Sequence, residues 1–211
     1  MKRILTMLVL FLSVMSTMFA QSCPDSNHPH AIDLGIGVKF ACCNIGASAP
    51  EQYGGLYSWG ETAEKAIYDD YDYKYCGYKR YRGYLDIGND ISGTKYDVAH
   101  VKWGGDWRMP TKEQMELLKE KCKCEWVTYK RVKGRRFTGP NGNSVFLPAG
   151  GSAWHYETNY VNHSGAYWTS TSSTTRSNNT SDAYQFVFSE SHVRMSPCDR
   201  AGGDSVRPIA E

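Results

Sequence analysis

Cysteines, histidines and a scatter of carboxylates are the residues of this 211-residue chain that could do covalent or metal chemistry. Cys42-Cys43 and Cys122-Lys123-Cys124 are close pairs. Neither has the gap of about two to four residues that a structural zinc site uses. His28-Pro29-His30 has two imidazoles near a terminus, but a polar surface leader is the cheaper reading. A hydrolytic triad needs a nucleophile held by a base. His155, His163 and His192 sit in or near loops, and no nucleophile-turn motif accompanies them. Glycoside hydrolysis needs two facing carboxylates; Asp182, Glu190, Asp199 and Asp204 read as turn and loop residues. Asp69, Asp70 and Asp72 lack the regular oxygen-ligand spacing and the turn glycine of a calcium loop. On these grounds no catalytic residue, metal ligand or cofactor is assigned.

The elements that would position any site begin after a leader. Lys2 and Arg3 precede an apolar run from Ile4 to Val14, and small residues lead to Ala20-Gln21-Ser22. A charged start, an apolar middle and a small-residue end make residues 1–22 a signal peptide. The run is too short to span a bilayer. Export would place the chain outside the cytoplasm, secreted, periplasmic or on the cell surface. Its loss takes the basic count from 24 to 22, level with 22 acidic residues. The mature chain is then neutral, and no basic stripe remains for a nucleic acid. Tyr78-Lys-Arg-Tyr-Arg82 and Lys130-Arg-Val-Lys-Gly-Arg-Arg136 read as solvated hairpin faces.

All seven cysteines (Cys23, Cys42, Cys43, Cys76, Cys122, Cys124 and Cys198) survive that cleavage, and an oxidising compartment permits disulfides. The odd number leaves one thiol over or modified. Cys23 stands at the cleavage zone, so a lipid anchor there is the alternative to simple secretion; Ala20 in place of an aliphatic residue favours secretion.

Residues 23–30 form a polar leader, and residues 31–211 read as one domain. Ala31 to Phe40 alternates, with Ile32, Leu34, Ile36, Val38 and Phe40 on one face, as a half-buried strand does. Leu56 to Gly60 reads as a short aromatic strand. Glu61 to Asn89 is rich in tyrosine and charge and has no period. It reads as a long surface loop whose rings hold it down; a sugar- or peptide-binding surface is the functional alternative. Trp103-Gly-Gly-Asp-Trp107 is a tight aromatic turn, and Pro110 and Thr111 open an amphipathic helix to about Lys121. Thr111 and Gln114 form a capping box, and Met115 and Leu118 mark the buried face. This helix is predicted to be the platform for everything else. Strands are predicted at Glu125–Tyr129, Arg131–Thr138, Val145–Pro148, Ala166–Ser170, Tyr184–Phe188, around Val193–Met195 and at Ser205–Pro208. Gly139-Pro-Asn-Gly-Asn143 is a turn, and Thr171–Asp182 is an exposed Ser/Thr/Asn-rich loop.

Four motifs lie in order: Ile32 to Ala47, Tyr57-Ser-Trp-Gly-Glu-Thr62, Trp103 to Thr111, and Gly139 to Ala149, with Ser205-Val-Arg-Pro208 closing the chain. Together they resemble the Fibrobacter succinogenes major paralogous domain family of exported bacterial proteins, over about Ala31 to Ile209. The resemblance implies an α+β, C-type-lectin-like fold related to the formylglycine-generating-enzyme type, with short antiparallel strands around one main helix. It carries no activity with it. In the family pattern a Thr stands at Cys42 and a Trp at Cys124, so these two departures are implied to be a mutual disulfide pair.

That fold presents ligands on irregular loops, here Ser152–Ser164, Thr169–Asp182 and Pro197–Asp204. Their mixture of rings, amides and hydroxyls is that of adaptable binding surfaces. Trp154, Tyr156, Tyr160, Arg176, Asn178, Asn179 and Arg200 are the predicted ligand-binding residues; Trp168 is predicted to be core. The calcium-sugar motifs of animal C-type lectins are absent from the sequence. The Ser/Thr/Asn-rich tract is similar to the variable regions of retroelement-diversified proteins on this fold. The reading is an exported, non-enzymatic domain that binds an extracellular glycan or protein. The alternatives are a structural cell-envelope protein, and an enzyme of the sulfatase-modifying type acting through Cys198.

Overall fold

The structure is a computed structural model that describes residues 29–77, 83–173 and 181–210. The predicted signal peptide, Cys23, most of the leader, Tyr78 to Arg82 and Glu211 lie outside the described residues. So do Arg176, Asn178 and Asn179. Among the described residues no helix is long and apolar enough to cross a membrane.

The fold is mostly β, and this corrects the α+β expectation. Twelve strands and two helices are described, and only one helix exceeds seven residues. The strands make several small antiparallel sheets, not one sheet around a central helix. The first holds β1 (Ala31–Asp33), β2 (Lys39–Ala41), β12 (Ile209–Ala210) and β3 (Trp107–Arg108), in that order. The second runs β4 (Lys123–Tyr129), β5 (Val132–Thr138), β6 (Ser144–Pro148). The third runs β11 (Val193–Asp199), β10 (Asp182–Ser189), β9 (Ser164–Ser173). A separate hairpin joins β7 (Ser152–Trp154) and β8 (Glu157–Asn159).

The predicted first strand is two. Ile32, Leu34, Ile36 and Phe40 are buried as the alternation requires. Gly35 and Gly37, however, take positive φ, and the Asp33 side chain accepts the Gly35 N–H at 2.7 Å. The chain turns there, and β1 folds back on β2. Side-chain period alone could not show this, because the turn keeps the same residues inside.

The capped helix exists as α2 (Lys112–Lys121). Thr111 Oγ1 accepts the Gln114 N–H at 3.2 Å, and Gln114 Oε1 accepts the Thr111 N–H at 2.8 Å. Met115 and Leu118 are fully buried. They enter one core with Phe40, Phe137, Leu147, Tyr167, Phe186 and Phe188. A second core has Trp59, Trp168, Ile91, Met109 and Val206 at its centre, and α2 contributes nothing to it. That core takes Val98 and Ala99 from a short helix the sequence reading lacked, α1 (Val98–Trp103). Asp97 makes α1 and the turn after it. Its Oδ1 accepts from Ala99 and His100 N–H at 2.8 and 3.1 Å, and its Oδ2 from Gly93 and Met109 N–H, both at 2.8 Å. Burial pushes this carboxyl up, while the four N–H groups pull it down. Trp103 and Trp107 then meet edge to face at 5.3 Å across Gly104-Gly105.

The ends of the domain are tied by Arg207. Its guanidinium is fully buried and donates to Asn44 Oδ1 at 2.8 Å, and to the Ala41 and Phe146 carbonyls, both at 2.9 Å. Asn44 Nδ2 in turn donates to the Tyr53 carbonyl at 2.7 Å and reaches the Tyr167 hydroxyl at 3.2 Å. Arg207→Met removes three donors and leaves three buried acceptors unmade. The loss is about 3 kcal/mol or more, read as a fall in the urea midpoint at unchanged slope. Thr111→Ala removes only the cap and costs about 1 kcal/mol. Equal losses in the two variants would deny Arg207 its role.

Candidate functional site

Tyrosine makes the surface around Glu61 to Tyr75 coherent. Tyr68 and Tyr73 are buried, and their hydroxyls donate to the Leu56 and Trp59 carbonyls, both at 2.7 Å. Burial raises both hydroxyls above the ordinary tyrosine range, so they stay donors at any physiological pH. The rings thus pin an irregular loop to the second core. Asp69 Oδ1 accepts the Tyr71 and Asp72 N–H groups, both at 2.9 Å, and turns the chain.

The β7–β8 hairpin docks on this loop. Tyr68 and His155 exchange backbone hydrogen bonds at 2.8 and 2.9 Å. Two residues earlier, Ala153 and Gly203 do the same at 2.7 and 2.9 Å. Gly203 is obligatory there, since a Cβ would stand 2.5 Å from the Tyr68 ring. His155 Nδ1 lies 3.6 Å from Asp69 Oδ2, an ion pair when the imidazole is protonated. His155, Tyr160 and Asn162 all adopt positive φ, an arrangement that costs energy outside glycine and persists only where the surroundings impose it. Asn162 Oδ1 accepts from the Tyr53 hydroxyl at 2.9 Å and from the Lys133 N–H at 3.2 Å, which fixes the segment after the hairpin.

Three predicted ligand residues fall on this unit. Trp154 is 39% exposed, Tyr156 78% and Tyr160 69%, on a backbone anchored by Tyr68 and Gly203. Tyr71, 80% exposed, lies on the loop that docks against the hairpin and was not singled out from sequence. Arg200 does not belong with them. It is 1% exposed, stacks its guanidinium 4.2 Å from the Trp59 ring centre, and serves the second core's edge. A charged residue in a predicted loop reads as surface, and only the fold shows the indole beneath it. Trp168 is core, with its Nε1 donating to the Tyr57 carbonyl at 2.7 Å.

Two further clusters have chemical character. Ser189 Oγ lies 2.8 Å from His192 Nδ1 in the exposed β10–β11 turn, with Ser191 Oγ at 3.3 Å. Among the described residues nothing orients the other ring nitrogen, so the pair closes a turn and lacks the third member of a triad. Asp182 and Asp199 face each other in the β10–β11 register. Asp182 and Asp204 are buried, not the exposed turn residues that the sequence implies. Cys198 lies in electrostatic reach of all three, and burial followed by these carboxylates pushes its thiol far above the ordinary range, which is the opposite of nucleophile activation.

Among the described residues no group of three or more His, Cys, Asp or Glu side chains could hold a metal. The implied Cys42–Cys124 bridge is not formed. The Cys124 thiol is free and accepts a long hydrogen bond from Arg135 Nη1 at 3.5 Å. Burial, then proximity to Cys124, pushes Cys122 up to about 11, so neither thiol of this pair is primed to react.

Asp204 supplies a pH test of this buried region. Its Oδ2 has no hydrogen-bond partner, and burial pushes the carboxyl from 3.8 up to about 8. The unfolded chain loses this proton first, so between these two values the folded state binds one proton more. The contribution is complete below the ordinary value and is lost as pH rises toward 8. The urea midpoint of the natural chain therefore falls as pH rises from about 5 to about 8, and Asp204→Asn makes that fall shallower. Parallel profiles for the two chains would contradict the assignment.

Compared with protein-family models, with curated proteins and with solved structures, the chain finds no match.

Proposed function

We propose that this chain is an exported, non-enzymatic binding domain that presents the β7–β8 hairpin to an extracellular glycan or protein. The observation that carries the reading is the anchored hairpin: Trp154, Tyr156 and, just beyond β8, Tyr160 stand in solvent on a backbone paired to Tyr68 and Gly203. Exposed aromatic rings on a preorganised backbone lose little freedom when a ligand covers them. Tyrosine and tryptophan bring a large apolar face and a polar handle to such a contact. The resemblance of the ordered motifs to the Fibrobacter succinogenes major paralogous domain family belongs to the same proposal, as does the signal peptide.

The sulfatase-modifying alternative has less support, because burial, and then the nearby carboxylates, keep the Cys198 thiol protonated. The test is a glycan and protein array with the purified chain. One saturable class of hit is expected. Trp154→Ala, Tyr156→Ala and Tyr160→Ala should each weaken that hit by about tenfold, roughly 1.4 kcal/mol apiece, as truncated anchor rings do. Melting temperature should barely move, since these side chains are exposed. An array without saturable signal, or a hit indifferent to all three changes, overturns the reading.

A further inference from the structure

An open cleft of the described surface holds about 530 Å³, within the size range of small-ligand sites. None of its lining residues belongs to the β7–β8 hairpin. One side of it is electrostatically satisfied. Lys65 Nζ lies 3.2 Å from a Glu61 carboxylate oxygen, 3.2 Å from the Asp72 carbonyl and 3.9 Å from Asp72 Oδ2. Glu61 also accepts the Lys74 N–H at 2.7 Å. The acidic groups of the cleft are therefore committed to Lys65 and the backbone.

Its other cations are not committed. Lys74 and Lys95 are exposed, and among the described residues no carboxylate lies within ion-pair distance of either. Each ammonium instead lies over a neighbouring ring, Lys74 at 5.6 Å from the centre of Tyr75 and Lys95 at 5.1 Å from that of Tyr96. Those two rings meet edge to face at 5.3 Å and form an aromatic corner. A ligand fitting this corner needs an apolar face for a ring, a negative charge for two ammoniums, and a hydroxyl for the Thr62 side chain. The lining is as polar as it is apolar, which disfavours a greasy ligand.

We propose that this cleft binds an acidic sugar, a uronic acid unit whose C–H face packs on Tyr75 or Tyr96 and whose carboxylate lies between Lys74 and Lys95. Both ammoniums end long flexible stems, so they close on the carboxylate as point charges instead of gripping it in a fixed fork. Binding should weaken as salt rises, because the pair is exposed to solvent.

The experiment is calorimetric titration of the full chain with trigalacturonate, with its methyl ester, and with tricarballylate. The ester keeps the sugar and removes the charge; tricarballylate keeps three carboxylates and has no sugar ring. Trigalacturonate should bind saturably and at least tenfold tighter than either control. Lys74→Ala/Lys95→Ala should abolish that preference over the ester, and Tyr96→Ala should weaken binding severalfold. Trp154→Ala should change nothing here, so a failure of the hairpin reading leaves this one standing, and the reverse. Circular dichroism confirms that the exposed lysine changes leave the fold intact. No saturable binding, equal binding of tricarballylate, or full binding by the double lysine variant each overturns the proposal.

Discussion

A guanidinium taken out of water must find its hydrogen bonds inside the protein, and Arg207 finds three of them on two segments distant in sequence. The acceptors are Ala41 at the end of β2, Asn44 just beyond it, and Phe146 in β6. Among the described residues no carboxylate pairs with it, so the charge is held entirely by neutral dipoles. Such an arrangement is exacting, because an acceptor moved by an ångström leaves a donor bare in a place water cannot reach. Asn44 extends the network to Tyr53 and to the Tyr167 hydroxyl, which itself donates to the Pro148 carbonyl at 2.7 Å. Small separate sheets with no common strand are thereby placed relative to one another by polar contacts in the middle of a hydrophobic core.

This explains why α2 is less central than its sequence makes it look. Its cap, amphipathic face and buried Met115 and Leu118 are all local properties, and local properties are what a sequence displays. The same holds for β5 and β6, whose Gly139–Asn143 turn carries its own signal, whereas Lys130 and Arg131 take the positive φ of the β4–β5 turn without one. Invisible from sequence are the contacts between segments far apart. Ser205-Val-Arg-Pro208 reads as a strand, yet it runs alongside several partners, and the ladder proper begins at Ile209. The aspartate that builds α1 is one carboxylate in a polar stretch, and its four N–H partners come from three separate turns of chain.

The candidate surface divides the same way. Trp154, Tyr156 and Tyr160 stand out in sequence because large rings in a glycine-flanked polar loop have no evident core to enter. Arg200 stands out for a similar reason and is buried, because the partner that covers it, Trp59, lies in a distant segment. The Glu61–Tyr75 loop shows how tyrosine spans both outcomes. Tyr68 and Tyr73 turn inward and donate to backbone carbonyls, while Tyr71 turns out and Tyr75 lines a cleft. One residue type, turned inward as an anchor or outward to solvent, holds an irregular segment in place without regular secondary structure.

The position of β12 has a consequence for biogenesis. It is the last described strand to be synthesised, yet it sits inside its sheet, between β2 and β3. Until it arrives those two strands have no common neighbour, and Arg207 cannot reach its acceptors. Pairing at such long range is slow to form, so the first sheet and the Arg207 network close after the local pairings of β4 to β6 and β9 to β11.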